Sequence, residues 1–430
     1  MTDPLARLTP DRAGILPSAR QALYQRLVLS TFSQMRAGCL VLDLPNGERC
    51  VMGTQGRDAS AVIRVRNSAF FRKCVLFGDI GFGESYVDGD WETDSLARVI
   101  EWVIRNIENA PTLSGSKARR LSLNLLRLGN RVGHLLRANS LSTSRRNIAE
   151  HYDLGNSFYE LWLDTTMTYS SGYFTEPGQS LEAAQSAKYD ALCRKLKLAA
   201  GHHVLEIGTG WGGFASHAVR HYGCRVTTVT ISEAQRRYAA DRFVREGIDD
   251  RVEVRLADYR TLAGQYDRIV AIEMMEAIGD RYLETFCAKL HELLTPVGLV
   301  GVQYITVPDV RHAELARGVD WIQKHIFPGS LLLSVARVEQ ALNRTGDLFL
   351  HDLEDLGASY ARTLQLWWER FNARVADVRA LGFDERFVRK WNYYLQYCEA
   401  GFATRNVSVV QAIYTRPNNR TLTWDANANE

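Results

Sequence analysis

Apolar and polar positions alternate along the first regular stretch of the chain. "CLVLDLPNGERCVMG" (39–53) reads as a strand, a turn at Pro45-Asn46-Gly47 and a returning strand. "AVIRVRN" (61–67) alternates as a third strand. The period then changes. In "SLARVIEWVIRNI" the apolar residues Leu96, Ile100, Val103 and Ile107 fall on one helical face. Residues 1–110 are therefore expected to form a small N-terminal α/β domain. From about residue 147 the rhythm becomes strand–helix. "HHVLEIG", "CRVTTVTIS", "RVEVRLAD", "YDRIVAIEM" and "GLVGVQYITV" are short apolar runs, the first four separated by helical stretches. That order predicts a doubly wound, mostly parallel sheet. About 80 residues of mostly helical sequence follow, and "NVSVVQAIYTR" returns as a last strand. A long helical insertion between late strands, about 306–400, has the place of a lid over a site.

Between these regions, residues 109–149 hold eight Lys or Arg and no Asp or Glu. Leu121, Leu125, Leu128, Val132 and Leu135 make one apolar stripe, flanked by Arg120, Arg127 and Arg131. Residues 111–146 thus form a basic amphipathic linker. Its stripe suits an anionic bilayer. It equally suits the protein's own surface or a second copy in a homodimer, because periodicity does not name the surface a stripe covers.

Composition narrows the classes further. A net charge of +3 on 430 residues gives no argument for nucleic acid. The seven cysteines form no C-x-x-C pair, so neither a zinc site nor a disulfide framework is expected. His202 and His203 alternate across a strand and do not face one metal. No apolar run reaches the ~20 residues of a membrane span, and no signal pattern opens the chain. The expectation is a cytoplasmic protein, associated peripherally with the inner face of the cytoplasmic membrane.

Candidate chemistry starts at "LEIGTGWGGF" (205–214), where Gly208, Gly210 and Gly213 spell G-x-G-x-x-G. Such glycines let the backbone approach a ligand at the start of a helix, for a dinucleotide and for S-adenosylmethionine (SAM) alike. A dinucleotide site wants a carboxylate at the tip of the second strand, but Thr230-Ile231-Ser232 stands there. Glu206 lies inside the first strand, where a dinucleotide fold has an apolar residue. Asp258-Tyr259 ends the third strand, placed to accept the adenine amino group and to stack on the ring. Each acid taken alone is as well explained by a helix cap or an ion pair. Together they favour SAM.

The order of the remaining motifs is specific. "EHYDLGNSFYELWLDTTMTYSSGYF" (150–174) precedes the first strand. "VTISEAQ" follows the second, "DYRTL" the third and "EMMEAIG" (273–279) the fourth. "QYI", "IFPG" and "SYARTLQLW" come after. From about 147 to 415 this set resembles the cyclopropane fatty acid synthase family, including the mycolic acid cyclopropane synthases. The N-terminal region is similar, more loosely, to the small domain of the phospholipid-acting members. The resemblance implies a class I SAM-dependent methyltransferase, Rossmann-like, with a mostly parallel seven-stranded sheet, spanning 147–430. It implies transfer of a SAM-derived methylene or methyl group to the cis double bond of an unsaturated phospholipid acyl chain. Tyr169 and Ser170 would hold the amino-acid end of SAM, lined by Gly208 and Gly210. Thr230, Ile231 and Gln235 would meet the ribose side, and Asp258 and Tyr259 the adenine. A bicarbonate ion would serve as base, held by Glu276, Tyr360 and backbone near Ile305. Two ligand positions depart from the family: Ser171 stands for a Cys and Gln303 for a His.

Chemistry makes three demands on such a site. The sulfonium must lie close to a weakly nucleophilic alkene. The cation needs a dry, aromatic-lined pocket, for which Tyr169, Tyr173, Phe174, Tyr304 and Trp367 are candidates. A proton must leave the transferred methyl. Ser171 and Gln303 still hydrogen-bond an oxyanion, yet the departures also fit a redirected cation. The main expectation is cyclopropane-fatty-acyl-phospholipid synthase. Its rivals are an acyl C-methyltransferase making methylene-, methyl-branched or methylated-diene chains, a small-molecule methyltransferase, and a non-catalytic lipid- or SAM-binding protein. Glu273, at the strand tip, rivals Glu276 as the essential carboxylate. Tyr360 and the Trp-rich insertion, taken singly, read as core.

Overall fold

A computed structural model of the chain describes residues 19–54, 61–107, 154–316 and 318–422. The basic stripe lies outside the described residues. Strands β1 (Cys39–Asp43) and β2 (Arg49–Gly53) form the expected antiparallel hairpin around Pro45-Asn46-Gly47. β3 (Ala61–Val65) runs parallel to β1, and β4 (Trp91–Glu92) closes a four-stranded sheet in the order β2-β1-β3-β4. Helix Leu96–Arg105 buries Leu96, Val99, Ile100 and Trp102, so its apolar face is near the one its spacing predicts. Helix Ala69–Val87 was not legible. Its glycines argue against a helix, and Gly78 kinks it at φ +59°.

The larger sheet contains β5 (His203–Ile207), β6 (Arg225–Thr230), β7 (Val252–Leu256), β8 (Tyr266–Ile272), β9 (Leu294–Thr306), β10 (Phe349–Asp355) and β11 (Ser408–Thr415). Its order is β10-β11-β9-β8-β5-β6-β7. β7, β6, β5, β8 and β9 are mutually parallel, and β11 runs against both β9 and β10. The chain leaves β5 toward β6 and later returns to its other flank as β8. That reversal opens a crevice at the carboxyl ends of β5 and β8.

β10 lies inside the stretch expected to be helical. Its sequence, FLHDLED, has exposed residues alternating with half-buried ones at the sheet edge. Charges on an edge strand guard it against further pairing and also hide it from an apolar-run reading. The insertion is otherwise helical. Helices Gly357–Ala373 and Glu385–Ala403 pack together over the crevice.

The two sheets are joined through that insertion. Gly83 sits against Trp321 and Tyr393, where a Cβ would fall 2.5 Å from the indole. Lys324 Nζ and His325 Nε2 meet Glu84 at 2.7 and 2.9 Å. Arg389 donates to the carbonyls of Tyr86 and Trp91 at 2.7 and 2.9 Å.

Candidate active site

β5 ends in the glycine loop. Gly208 takes φ +103° and Gly210 φ +51°, the first of which a side chain rarely adopts. The loop feeds helix Gly213–Tyr222, so its N-terminus faces the crevice. A cavity of about 1010 Å³ opens there, lined by Tyr169, Ser170, Gly208, Gly210, Thr230, Ile231, Gln235, Asp258 and Tyr259. Every residue expected to bind SAM is thus gathered on one wall. Several hold each other in place. Thr230 donates to Gln235 Oε1 at 2.8 Å, and Tyr169 shares a hydroxyl contact of 2.7 Å with Tyr394. Asp258 is partly engaged, accepting from the Arg260 guanidinium at 2.6 Å. Glu206 also lines the cavity and accepts from Thr228 at 2.6 Å. Burial pushes its carboxyl up to about 8.

Glu273 follows β8 directly and takes φ +49°, a left-handed conformation for a side-chain-bearing residue. Its carboxylate accepts from Tyr360 Oη at 2.7 Å, the Ser171 backbone N–H at 2.8 Å and Gln303 Nε2 at 2.8 Å. Gln303 is itself held by Gln411 Nε2 at 3.1 Å from the facing strand. Burial raises the Glu273 carboxyl, and the Tyr360 hydrogen bond, the Lys188 charge and the donors of Ser171 and Gln303 oppose it. The rival carboxylate is therefore the one on which Tyr360, Ser171 and Gln303 converge.

Glu276 lies one turn on and also lines the cavity. It accepts from the Ile305 backbone N–H, whereas the resemblance has both meeting a bicarbonate. Its Oε2 is buried with no hydrogen-bond partner among the described residues. Burial, then the adjacent Glu273 charge, push this carboxyl up to about 8. The pair contains one carboxylate rich in donors and one poor in them, an arrangement in which a single charge is shared unequally.

The aromatic lining differs from expectation in part. Tyr169 faces the cavity, joined by Phe327, Tyr360, Tyr394 and Phe402. Trp367 stands behind Tyr169 and Tyr360, ring centres 5.3 and 6.1 Å away. Tyr173, Phe174 and Tyr304 do not line it. Tyr304 points to the opposite side of β9 from Gln303 and Ile305, into the core. Tyr173 donates instead to Glu354 on β10. The cavity continues past Glu276 and Phe327 to Leu27, Phe32, Val75 and Ile104 of the small sheet's helices.

Sequence reading missed Lys188 and Gln411. Lys188 is fully buried on helix Leu181–Lys195 and donates to Ser170 Oγ at 2.7 Å. The available signal was a lone polar residue on an apolar face or strand.

Comparison with known proteins agrees with this geometry. The profile for mycolic acid cyclopropane synthetase matches residues 139–412. The tuberculostearic acid methyltransferase UfaA1 of Mycobacterium tuberculosis is 37% identical over 405 residues, covering 93% of this chain and 92% of that protein. The cyclopropane-fatty-acyl-phospholipid synthase of Escherichia coli is 36% identical over 366 residues, covering 83% and 88%. The solved structure of mycolic acid cyclopropane synthase CmaA1 with SAH and CTAB covers 63% of this chain and 98% of its own, with 28% identity and a TM-score of 0.59. The cofactor is thus S-adenosylmethionine. On the extent of these matches, the chain belongs to the mycolic acid cyclopropane synthetase family, as a SAM-dependent C-methyltransferase that modifies lipid acyl chains.

Proposed function

We propose that the chain alkylates the cis double bond of an unsaturated phospholipid acyl chain, with Glu273 as the base that receives the proton from the transferred methyl. The observation that carries this reading is the convergence of Tyr360, Ser171 and Gln303 on Glu273 inside the cavity. SAM supplies an electrophilic methyl group. The glycine wall orients it, and Tyr169, Tyr360 and Phe327 line the cavity in which positive charge develops on the acyl chain. Donors expected to hold a bicarbonate are occupied by the protein's own carboxylate. Burial and the Glu273 charge raise the neighbouring Glu276 carboxyl, which favours a single negative charge on the pair.

The bond-making follows one account. The methyl carbon bonds one alkene carbon as its bond to the sulfonium sulfur breaks, releasing S-adenosylhomocysteine and leaving positive charge on the other alkene carbon. Proton loss from the methyl to Glu273, with closure, gives a cyclopropane. A second reading has a hydride shift before the same proton loss and gives a methylene-branched chain. Ser171 and Gln303, with the 37% identity to a tuberculostearic acid methyltransferase, favour attention to it.

Phospholipid as substrate is supported by the E. coli relative and by the apolar continuation of the cavity. Residues 1–110 and the basic linker 111–146 would hold the enzyme at the inner face of the cytoplasmic membrane, with 147–430 as the catalytic domain. Among the described residues no helix is long and apolar enough to cross a membrane. Binding to anionic vesicles that weakens with salt tests this placement. If the linker stripe instead joins two copies, the protein is a homodimer that leaves the vesicles unbound.

The function itself is tested with methyl-deuterated SAM and vesicles of cis-monounsaturated phospholipid, reading the acyl products by mass spectrometry and proton NMR. Upfield ring-methylene signals establish the cyclopropane. Olefinic methylene signals establish the second reading. Absence of label from every lipid overturns both.

A further inference from the structure

Among the described residues, the cavity is lined by two cations, Arg260 and Arg311. Arg260 is engaged by Asp258 at 2.6 Å. Arg311 has no carboxylate partner among the described residues. Its Nη1 donates to the side-chain oxygen of Asn406, which lines the same cavity, and its other side-chain N–H groups meet no acceptor there. An arginine carries five donors in a planar fork, so one edge of this one is left for a ligand. Asn406 is itself fixed. Its backbone N–H donates to the Gly401 carbonyl at 3.0 Å, and its Nδ2 donates to Thr404 Oγ1 at 3.2 Å. The guanidinium is therefore braced on a settled support.

The pair also stands at the surface end of the reacting centre. Arg311 belongs to helix Asp309–Leu315, which follows β9 directly. Val310, its neighbour, is 93% exposed, so this short helix forms part of the outer lip while Arg311 faces inward. On the facing strand, Val409 pairs with Ile305, whose N–H meets Glu276. Asn406 comes three residues before Val409, no more than about 10 Å of backbone away. Beyond Glu276 the cavity runs on to Leu27, Phe32, Val75 and Ile104. The order along the cavity is thus cation, carboxylates, apolar arm. We propose that Arg311, braced by Asn406, binds the phosphodiester of the phospholipid whose acyl chain fills that arm. This rests on the phospholipid reading above. Guanidinium and phosphate pair through two parallel charge-assisted hydrogen bonds. Glu314, one turn on, lines the cavity too, so the lip offers both charges that a zwitterionic headgroup matches.

The test measures kcat and KM for lipid in neutral-detergent micelles, with a zwitterionic dioleoyl phospholipid and with dioleoylglycerol, which lacks the phosphate. Neither micelle carries net charge, so general attraction of the basic linker is the same in both. The wild-type enzyme should prefer the phospholipid. In Arg311→Met the ratio of kcat/KM between the two lipids should fall about 10- to 100-fold, with the loss in KM for phospholipid rather than in kcat. Arg311→Lys, a point charge without the fork, should recover part of it. Arg311→Gln carries the comparison if Arg311→Met does not fold. A ratio that stays at the wild-type value in the neutral variants overturns the proposal, whatever the overall loss. Oleoyl-coenzyme A is a competing source of the same chemistry, and an Arg311 effect confined to that substrate overturns the headgroup assignment. Label in both lipids with no Arg311 effect removes only this site, whereas label in neither removes the phospholipid reading and the site with it.

Discussion

Tyr360 donates its hydroxyl to Glu273 across 2.7 Å, joining the insertion helix to the tip of β8. The bond ties the insertion helix to the carboxylate. Hydrogen bonds to charged groups contribute about 1.5–3 kcal/mol. Tyr360→Phe is predicted to lower kcat roughly 10- to 100-fold. Because Tyr360 lowers the Glu273 carboxyl, its loss should also move the acid limb of the rate profile upward. Steady-state kinetics across pH measure both effects.

Glu273 must be ionised to take a proton, and burial lifts its carboxyl above the usual range. Activity should therefore rise with pH through a value higher than that of an ordinary carboxylate and fall away below it. With Glu273 as the proposed base, turnover in carbon-dioxide-free buffer should equal turnover with added bicarbonate. A marked stimulation by bicarbonate would point to an exogenous base.

Gly208 adopts φ +103°, and a Cβ there would come 3.3 Å from Met274 on the cavity wall. Gly208→Ala both strains the turn and intrudes on the SAM wall. Calorimetry should show SAM binding weakened at least about tenfold, with the thermal midpoint changed far less than the affinity.

Gly83 lies between Trp321 and Tyr393, with no room for a side chain. Gly83→Leu should cost about 1–3 kcal/mol by overpacking and loosen the small sheet from the insertion. The apolar end of the cavity is shared between those two parts. The expected outcome is a raised KM for lipid with SAM affinity retained. Equal losses in both would mean the interface serves stability alone.

Much of this architecture was legible because burial imposes a period. β5, β6, β8, β9 and β11 are apolar runs, and the Pro45-Asn46-Gly47 turn marks the first hairpin. β10 was hidden because its exposed edge carries His351, Asp352, Glu354 and Asp355. In the site, motif order pointed to residues that the structure gathers around one cavity. The choice between Glu273 and Glu276 was not open to sequence, since it turns on a left-handed backbone at one residue. Lys188 and Gln411 look like interruptions of apolar faces until Ser170 and Gln303 are seen beside them.

Glu273, rather than Glu276, is the carboxylate proposed to take the methyl proton. Both neutral isosteres, Glu273→Gln and Glu276→Gln, should be assayed for labelled acyl product at pH 7 with SAM binding confirmed. Burial and the adjacent Glu273 charge push the Glu276 carboxyl up to about 8, which favours its neutral form, so Glu276→Gln is predicted to retain substantial turnover. Glu273→Gln is predicted to lose about 10²- to 10⁴-fold, the usual worth of a positioned base. The reverse pattern, with Glu273→Gln active and Glu276→Gln dead, would contradict the account and return the essential carboxylate to Glu276.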